Sequence, residues 1–131
     1  QLQSSAASDV YKRQLKICFD TGHHSYAGFD PVKFMQKYIS RISYMHFKDV
    51  NSEVKQNVIE NRTGFYDACG QGIFCNLGDG DVDFPTVRKI LIENEFEGWC
   101  TVEQDCDPLL DPNPLSDAKI NREYLESIGF S

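Results

Sequence analysis

Apolar residues recur along this chain with two different periods, and the two interleave. Leu15 to Phe19, Ser43 to Phe47 and Trp99 to Val102 are short runs of the kind that form strands, the middle one being central. Each ends in ionisable residues: Asp20-Thr21-Gly22-His23 after the first, His46-Phe47-Lys48-Asp49 closing the second, and Glu103-Gln104-Asp105 after the third. Side chains alternate along a strand, so Asp20 shares a face with Cys18, His46 with Tyr44, and Glu103 with Thr101. The opposite face carries Ile17 and Phe19, Met45 and Phe47, and Val102. If the strands are parallel, Asp20, His46 and Glu103 gather at one end, where parallel α/β folds place their ligands.

Helical periods fill the intervals. Asp30-Pro31 is a helix start, because the Asp side chain caps free N–H groups and Pro lacks the donor that would be orphaned there. Val32, Met35, Ile39 and Ile42 follow at helical spacing. Thr21 to Phe29 reads as a loop. Val50 to Asn76 reads as a weak helical turn around Glu53 to Glu60 and then a long loop, a candidate lid. Gly78 to Asp83 forms a tight turn with Asp83 as cap, and Phe84, Val87 and Leu91 line one face of a helix ending near Asn94. Asp107 to Pro114 interrupts regular structure. A last helix is then capped by Ser116 or Asp117, carries Ile120, Tyr124 and Ile128, and stops at Gly129. The order predicts an α/β fold of about three βα units with parallel strands. Gln1 to Gln14 lacks any period that would bury a face and has the look of translated adapter sequence. It is read as a non-native leader, with the domain spanning 15–131.

Composition narrows the partners. The formal charge of −7 over 131 residues argues against a nucleic-acid or anionic-membrane surface, which needs clustered Lys and Arg, so no nucleic acid is expected. No apolar run approaches the roughly 18 residues of a membrane span, which points to a cytoplasmic protein without membrane contact. The cysteines, Cys18, Cys69, Cys75, Cys100 and Cys106, are odd in number and lack Cys-x-x-Cys spacing, so reduced thiols are expected. Asn61-Arg62-Thr63 is read as a chance sequon.

One imidazole between two carboxylates is a reasonable donor set for a divalent metal. Each member has a plainer reading: a loop or cap residue for Asp20, a hydrogen-bonded core histidine for His46, and a buried ion pair with Lys48 for Glu103. Taken together at three strand ends, the ligand reading is preferred. Asp79, Asp81 and Asp83 imitate a calcium loop, but Phe84 stands where Gly is needed and Ile90 where the bidentate Glu belongs, so that site is rejected. His24 is assigned to solvated loop, and Trp99 and Phe84 to packing.

Four motifs in order, Asp20-Thr-Gly-His23, His46-Phe-Lys-Asp49, Leu77-Gly-Asp-Gly-Asp-Val-Asp-Phe84, and Gly98-Trp with Val102-Glu-Gln-Asp105, resemble the xylose-isomerase-like TIM barrels of the sugar isomerase and epimerase superfamily. Within it they look most like inosose dehydratases of inositol catabolism, over Leu15 to Phe130. The resemblance implies the C-terminal portion of a (β/α)8 barrel, a fold that typically needs about 250 residues. It also implies a divalent metal, Mn2+ or Co2+ with Mg2+ possible, held by Glu, Asp, His and Glu. Asp20, His46 and Glu103 match the last three of these, and the first Glu has no counterpart here.

The implied substrate is a polyol ketone or keto sugar, dehydrated through an enediolate. Glu103 serves as ligand and acid/base group, and Lys48 assists catalysis. His23 and Asp105 contact substrate, although a rim salt bridge between Lys48 and Asp105 fits equally well. Hydroxypyruvate isomerase or ketose 3-epimerase chemistry would use the same cluster. A truncated, inactive piece with an open sheet edge that self-associates, or a homo-oligomer of the parent, is the competing expectation.

Overall fold

The computed structural model describes residues 14–107, 109 and 113–131; all but the last residue of the leader, together with Pro108 and Pro112, lie outside them. Three strands form one parallel sheet in the order β1 (Ile17–Asp20), β2 (Ile42–Phe47), β5 (Trp99–Val102). This is the expected α/β arrangement, with the central run in the middle. The alternation also holds: Phe19, Met45 and Phe47 are buried on one face, while Cys18 on the other is exposed.

Helices cover the apolar face. Asp30 caps α2 (Pro31–Tyr38), accepting the Lys33 N–H at 3.1 Å, and Met35 is fully buried against the sheet cluster. Asp83 caps α5 (Phe84–Glu93) by accepting the Thr86 N–H at 3.0 Å, and Phe84, Val87, Ile90 and Leu91 enter the same core. The final helix, α6 (Pro114–Ser127), begins earlier than the sequence reading places it. Asn113 is its N-cap and Pro114 opens the first turn, where a residue without an N–H loses nothing. It ends as expected. Gly129 adopts φ +95°, its N–H donates to Glu126 O, and the Phe130 N–H donates to Leu125 O, the paired bonds of a Schellman motif. Phe130 thereby packs edge-on against Phe47, with centroids 5.3 Å apart.

Three segments depart from the expectation. Ile39 and Ile42 do not extend the helix after Asp30, because α2 stops at Tyr38, Ile39–Arg41 is a 3-10 turn and Ile42 opens β2. Thr21 to Phe29 is not a plain loop, because the Asp20 carboxylate accepts the His23 N–H at 2.7 Å and starts α1 (Thr21–Tyr26). The presumed lid is a small folded layer: β3 (Asp49–Val50), α3 (Ser52–Asn61), α4 (Phe65–Gly70) and β4 (Phe74–Cys75), with β3 and β4 antiparallel. Its core is Val50, Val58, Ala68, Ile73 and Phe74. Those residues are too scattered in sequence to register as a period, and only their tertiary meeting makes a core of them.

Trp99 is also corrected. It is 79 % exposed, because it alternates with Cys100 and Val102 and so lies on the face that the helices do not cover. His24 is not solvated loop; it sits in α1 among Phe19, Phe29 and Phe34, at ring distances of 5.2, 5.4 and 4.7 Å. Burial lowers its pKa, partly opposed by the nearby Asp30 charge. Cys18, Cys69, Cys75 and Cys100 are free thiols. Burial pushes the Cys75 thiol up to about 12 and Cys100 to about 11, which keeps both protonated at neutral pH. No helix among the described residues is long and apolar enough to cross a membrane.

Candidate functional site

Strand register brings the first two candidates side by side. Asp20 pairs with His46 across β1 and β2, and His46 pairs with Thr101 across β2 and β5. Glu103 lies one full pleat beyond Thr101, just past the strand, and its N–H donates to Phe47 O at 3.0 Å, so its side chain returns to the His46 face.

The resulting geometry is tight. His46 Nδ1 stands 3.1 Å from Glu103 Oε2 and 3.6 Å from Asp20 Oδ2. One ligand atom from each of Asp20, His46 and Glu103 can be chosen so that all lie within 4.8 Å of one another. The two oxygens of Asp20 have separate tasks. Oδ1 caps α1, whereas Oδ2 is buried and takes part in no hydrogen bond among the described residues. A buried carboxylate oxygen without a hydrogen bond, beside an imidazole and a second carboxylate, is what a divalent cation would complete, so the donors present fit such an ion.

Lys48 comes to the same place. It is 1 % exposed, and its Nζ lies 2.9 Å from Asp105 Oδ2, 3.2 Å from Glu103 Oε2 and 3.4 Å from Asp20 Oδ2. The Nε2 atom of His23 is 3.1 Å from the ammonium and 3.5 Å from Asp105 Oδ2. Burial pulls the Lys48 pKa down, but the hydrogen bond to Asp105, the neighbouring Asp20 and Asp105 charges and the hydrogen bond to Glu103 leave it above its ordinary value. It is therefore an ammonium at neutral pH. Its charge also rests over the Phe74 ring, 5.0 Å from the centroid.

All six residues singled out from the sequence thus meet in one cluster at the carboxyl ends of the strands. His23 belongs to the first turn of α1 rather than to a loop, which fixes its ring at the rim. Both plainer readings are also visible, since Lys48 pairs with Asp105 and with Glu103.

Three supporting residues escaped the sequence reading. Thr21 Oγ1 accepts the Lys48 N–H at 3.0 Å and donates to the Lys48 carbonyl at 2.8 Å, binding the start of α1 to the end of β2. Gly22 leaves room for the lysine stem; a Cβ there would lie 2.5 Å from Lys48 Cγ. Asp49, fully buried, accepts N–H groups from Val50, Gly78, Gly80 and Val82 at 2.9 to 3.1 Å. The signal was present in the Asp-Thr-Gly-His, His-Phe-Lys-Asp and Gly-Asp-Gly-Asp motifs, but nothing local says that one motif grips another.

Comparison with known proteins accords with this architecture. A family model described as xylose isomerase-like TIM barrel matches residues 5–128. An inosose dehydratase of Clostridium tetani is 41 % identical over 110 residues, covering 84 % of this chain and 37 % of that protein. The inosose dehydratase of Geobacillus kaustophilus is 38 % identical over 112 residues, covering 86 % and 36 %. Among solved structures, a D-tagatose 3-epimerase-like protein superimposes with a TM-score of 0.55 at 24 % identity, covering 88 % of this chain and 36 % of that one. The probable 3-DHS dehydratase AsbF of Bacillus anthracis gives 0.61 at 22 % identity, covering 85 % and 38 %. The chain spans a little over a third of the length of these proteins. With three parallel strands, a cluster of ionisable side chains at their carboxyl ends and a family match over nearly its whole length, this chain belongs to the xylose isomerase-like TIM barrel family.

Proposed function

We propose that this chain supplies the acid/base and metal-binding end of an inosose dehydratase-like lyase acting on a cyclic polyol ketone in the cytoplasm. One observation carries the reading: a carboxylate that can take a proton and an ammonium that can give one stand 3.2 Å apart beside a metal-type donor set. The inosose dehydratase names of relatives 36 to 41 % identical favour dehydration over isomerisation.

Asp20, His46 and Glu103 would hold the divalent ion, Mn2+ or Co2+. When bound, such an ion acts as a Lewis acid on a ketone and its neighbouring hydroxyl, which makes the α-proton removable. Glu103 then accepts that proton. The Lys48 ammonium, oriented by Asp105, gives a proton to the departing β-hydroxyl, which leaves as water. Proton return from Glu103 to Lys48 restores both groups. His23 and Asp105 at the rim hold substrate hydroxyls.

Two measurements test this. Calorimetric titration of the chain with MnCl2 or CoCl2 should give binding that the His46→Ala variant loses; equal binding by both would remove the cluster from the metal assignment. A chimera placing residues 15–131 in the corresponding part of the Clostridium tetani relative should dehydrate inosose, and its Glu103→Gln form should lose at least a hundredfold in kcat. A chimera that folds and binds metal but leaves inosose untouched would sink the lyase reading.

A further inference from the structure

Lys48 occupies an unusual place for a proton donor. Its ammonium contacts Asp20 Oδ2 and Glu103 Oε2, the same two oxygens that His46 Nδ1 faces at 3.6 and 3.1 Å. A cation bound by the imidazole and those carboxylates would therefore share its oxygens with a resident positive charge. Two cations drawn to one pair of oxygens repel each other strongly in a partly buried site.

The lysine is held so that only its end can yield. Both main-chain groups of Lys48 are bonded to the Thr21 hydroxyl, and its stem passes through the gap left by Gly22. Beyond the stem, the ammonium already has a second set of partners, Asp105 Oδ2 at 2.9 Å and His23 Nε2 at 3.1 Å. A small rotation of the terminal bonds moves the charge from the metal oxygens to that pair without disturbing the backbone.

We infer that Lys48 is a tethered counter-cation for the metal cluster, neutralising Asp20 and Glu103 in the metal-free protein and passing to Asp105 and His23 when a divalent ion takes those oxygens. The inference rests on the assignment of Asp20, His46 and Glu103 as ligands. It adds that Lys48 weakens metal binding in the resting protein and that metal loading places the proton donor at the substrate rim. Asp105 is on this view a receiver for the lysine, not a ligand.

Manganese titration of the full chain by calorimetry reads this without any turnover. Lys48→Met keeps the length of the buried stem and should bind Mn2+ at least tenfold more tightly than the unaltered chain. Its melting temperature should also rise more on Mn2+ addition, because without metal its carboxylates have no cation. Asp105→Asn, a conservative change at a half-buried position, should bind Mn2+ severalfold more weakly, since the lysine then has no charged place to go. It carries the test if Lys48→Met does not fold. Affinity in Lys48→Met equal to or below that of the unaltered chain, or an unchanged affinity in Asp105→Asn, would overturn the inference while leaving the ligand assignment intact. Absence of binding by both the unaltered chain and Lys48→Met would remove the ligand assignment and this inference with it.

Discussion

Lys48 and Asp49 are neighbours beyond the central strand, both within 1 % of complete burial, and their charges are met in opposite ways. Lys48 is surrounded by side chains: Asp20, His23, Glu103 and Asp105. Asp49 is surrounded by backbone, accepting N–H groups from its neighbour Val50 and from three positions of the Gly78 to Val82 turn. Side-chain partners can turn away when a ligand arrives, whereas backbone partners move only if the chain refolds. A strand end with alternating sides can thus aim one charge at chemistry and the next at scaffold.

The largest effect should come from cutting the backbone cage. Asp49→Ala leaves four N–H groups without their acceptor and should cost about 4 kcal/mol, at roughly 1 kcal/mol for each bond, in urea unfolding. A cost below about 1 kcal/mol would mean that water replaces the carboxylate and that the contrast with Lys48 is false.

Glycine substitutions sharpen the same contrast at smaller scale. A Cβ on Gly80 would run into Asp49 Oδ1 and the Val50 carbonyl, both fixed, whereas a Cβ on Gly22 would meet the stem of Lys48. Gly80→Ala should cost about 3 kcal/mol and Gly22→Ala about 2 kcal/mol, the second partly offset by the helix preference of alanine, as read by thermal unfolding. The reverse order would show the lysine to be the more rigidly held of the two. Gly22→Ala should nonetheless change manganese affinity, and Gly80→Ala should not.

A gentler probe is pH. Burial raises the Asp49 pKa above its ordinary 3.8, against the four N–H groups that lower it. A raised folded value means that the group's favourable contribution is complete below 3.8 and is lost as pH rises through the folded pKa. The stability difference between the unaltered chain and Asp49→Asn should therefore shrink as pH rises above 4; a difference that grows would show the backbone donors to outweigh burial. Smallest of all, Tyr44→Phe removes the bond between Tyr44 Oη and Thr101 Oγ1 on the uncovered sheet face, and should cost about 0.5 to 1 kcal/mol.

Much of this molecule was legible one residue at a time. Alternation alone assigned Asp20, His46 and Glu103 to one face and Phe19, Met45 and Phe47 to the other, because the pleat allows only two directions. Asp30, Asp83 and Gly129 announced helix ends, because capping is a matter between residues a few positions apart. Two local features differ from the sequence expectation: the six-residue helix after Asp20, set off by a side chain that also belongs to the Asp20, His46 and Glu103 cluster, and the Asn113 cap that starts α6 ahead of Ser116.

What sequence could not decide depended on partners far along the chain. The layer between β3 and β4 has no period of its own, since Val50, Val58, Ala68, Ile73 and Phe74 become a core only on meeting. Trp99 looked like a packing residue because indole usually is one, but which face of a sheet gets covered is settled by where the helices return. The grip of Thr21 and Gly22 on Lys48, and of Asp49 on the Gly78 to Val82 turn, joins positions 26 to 33 residues apart. The sequence by itself determined which groups face the site, through the short periods of strand and helix; only the tertiary structure decided which of those groups touch, because contact is fixed by how distant segments pack.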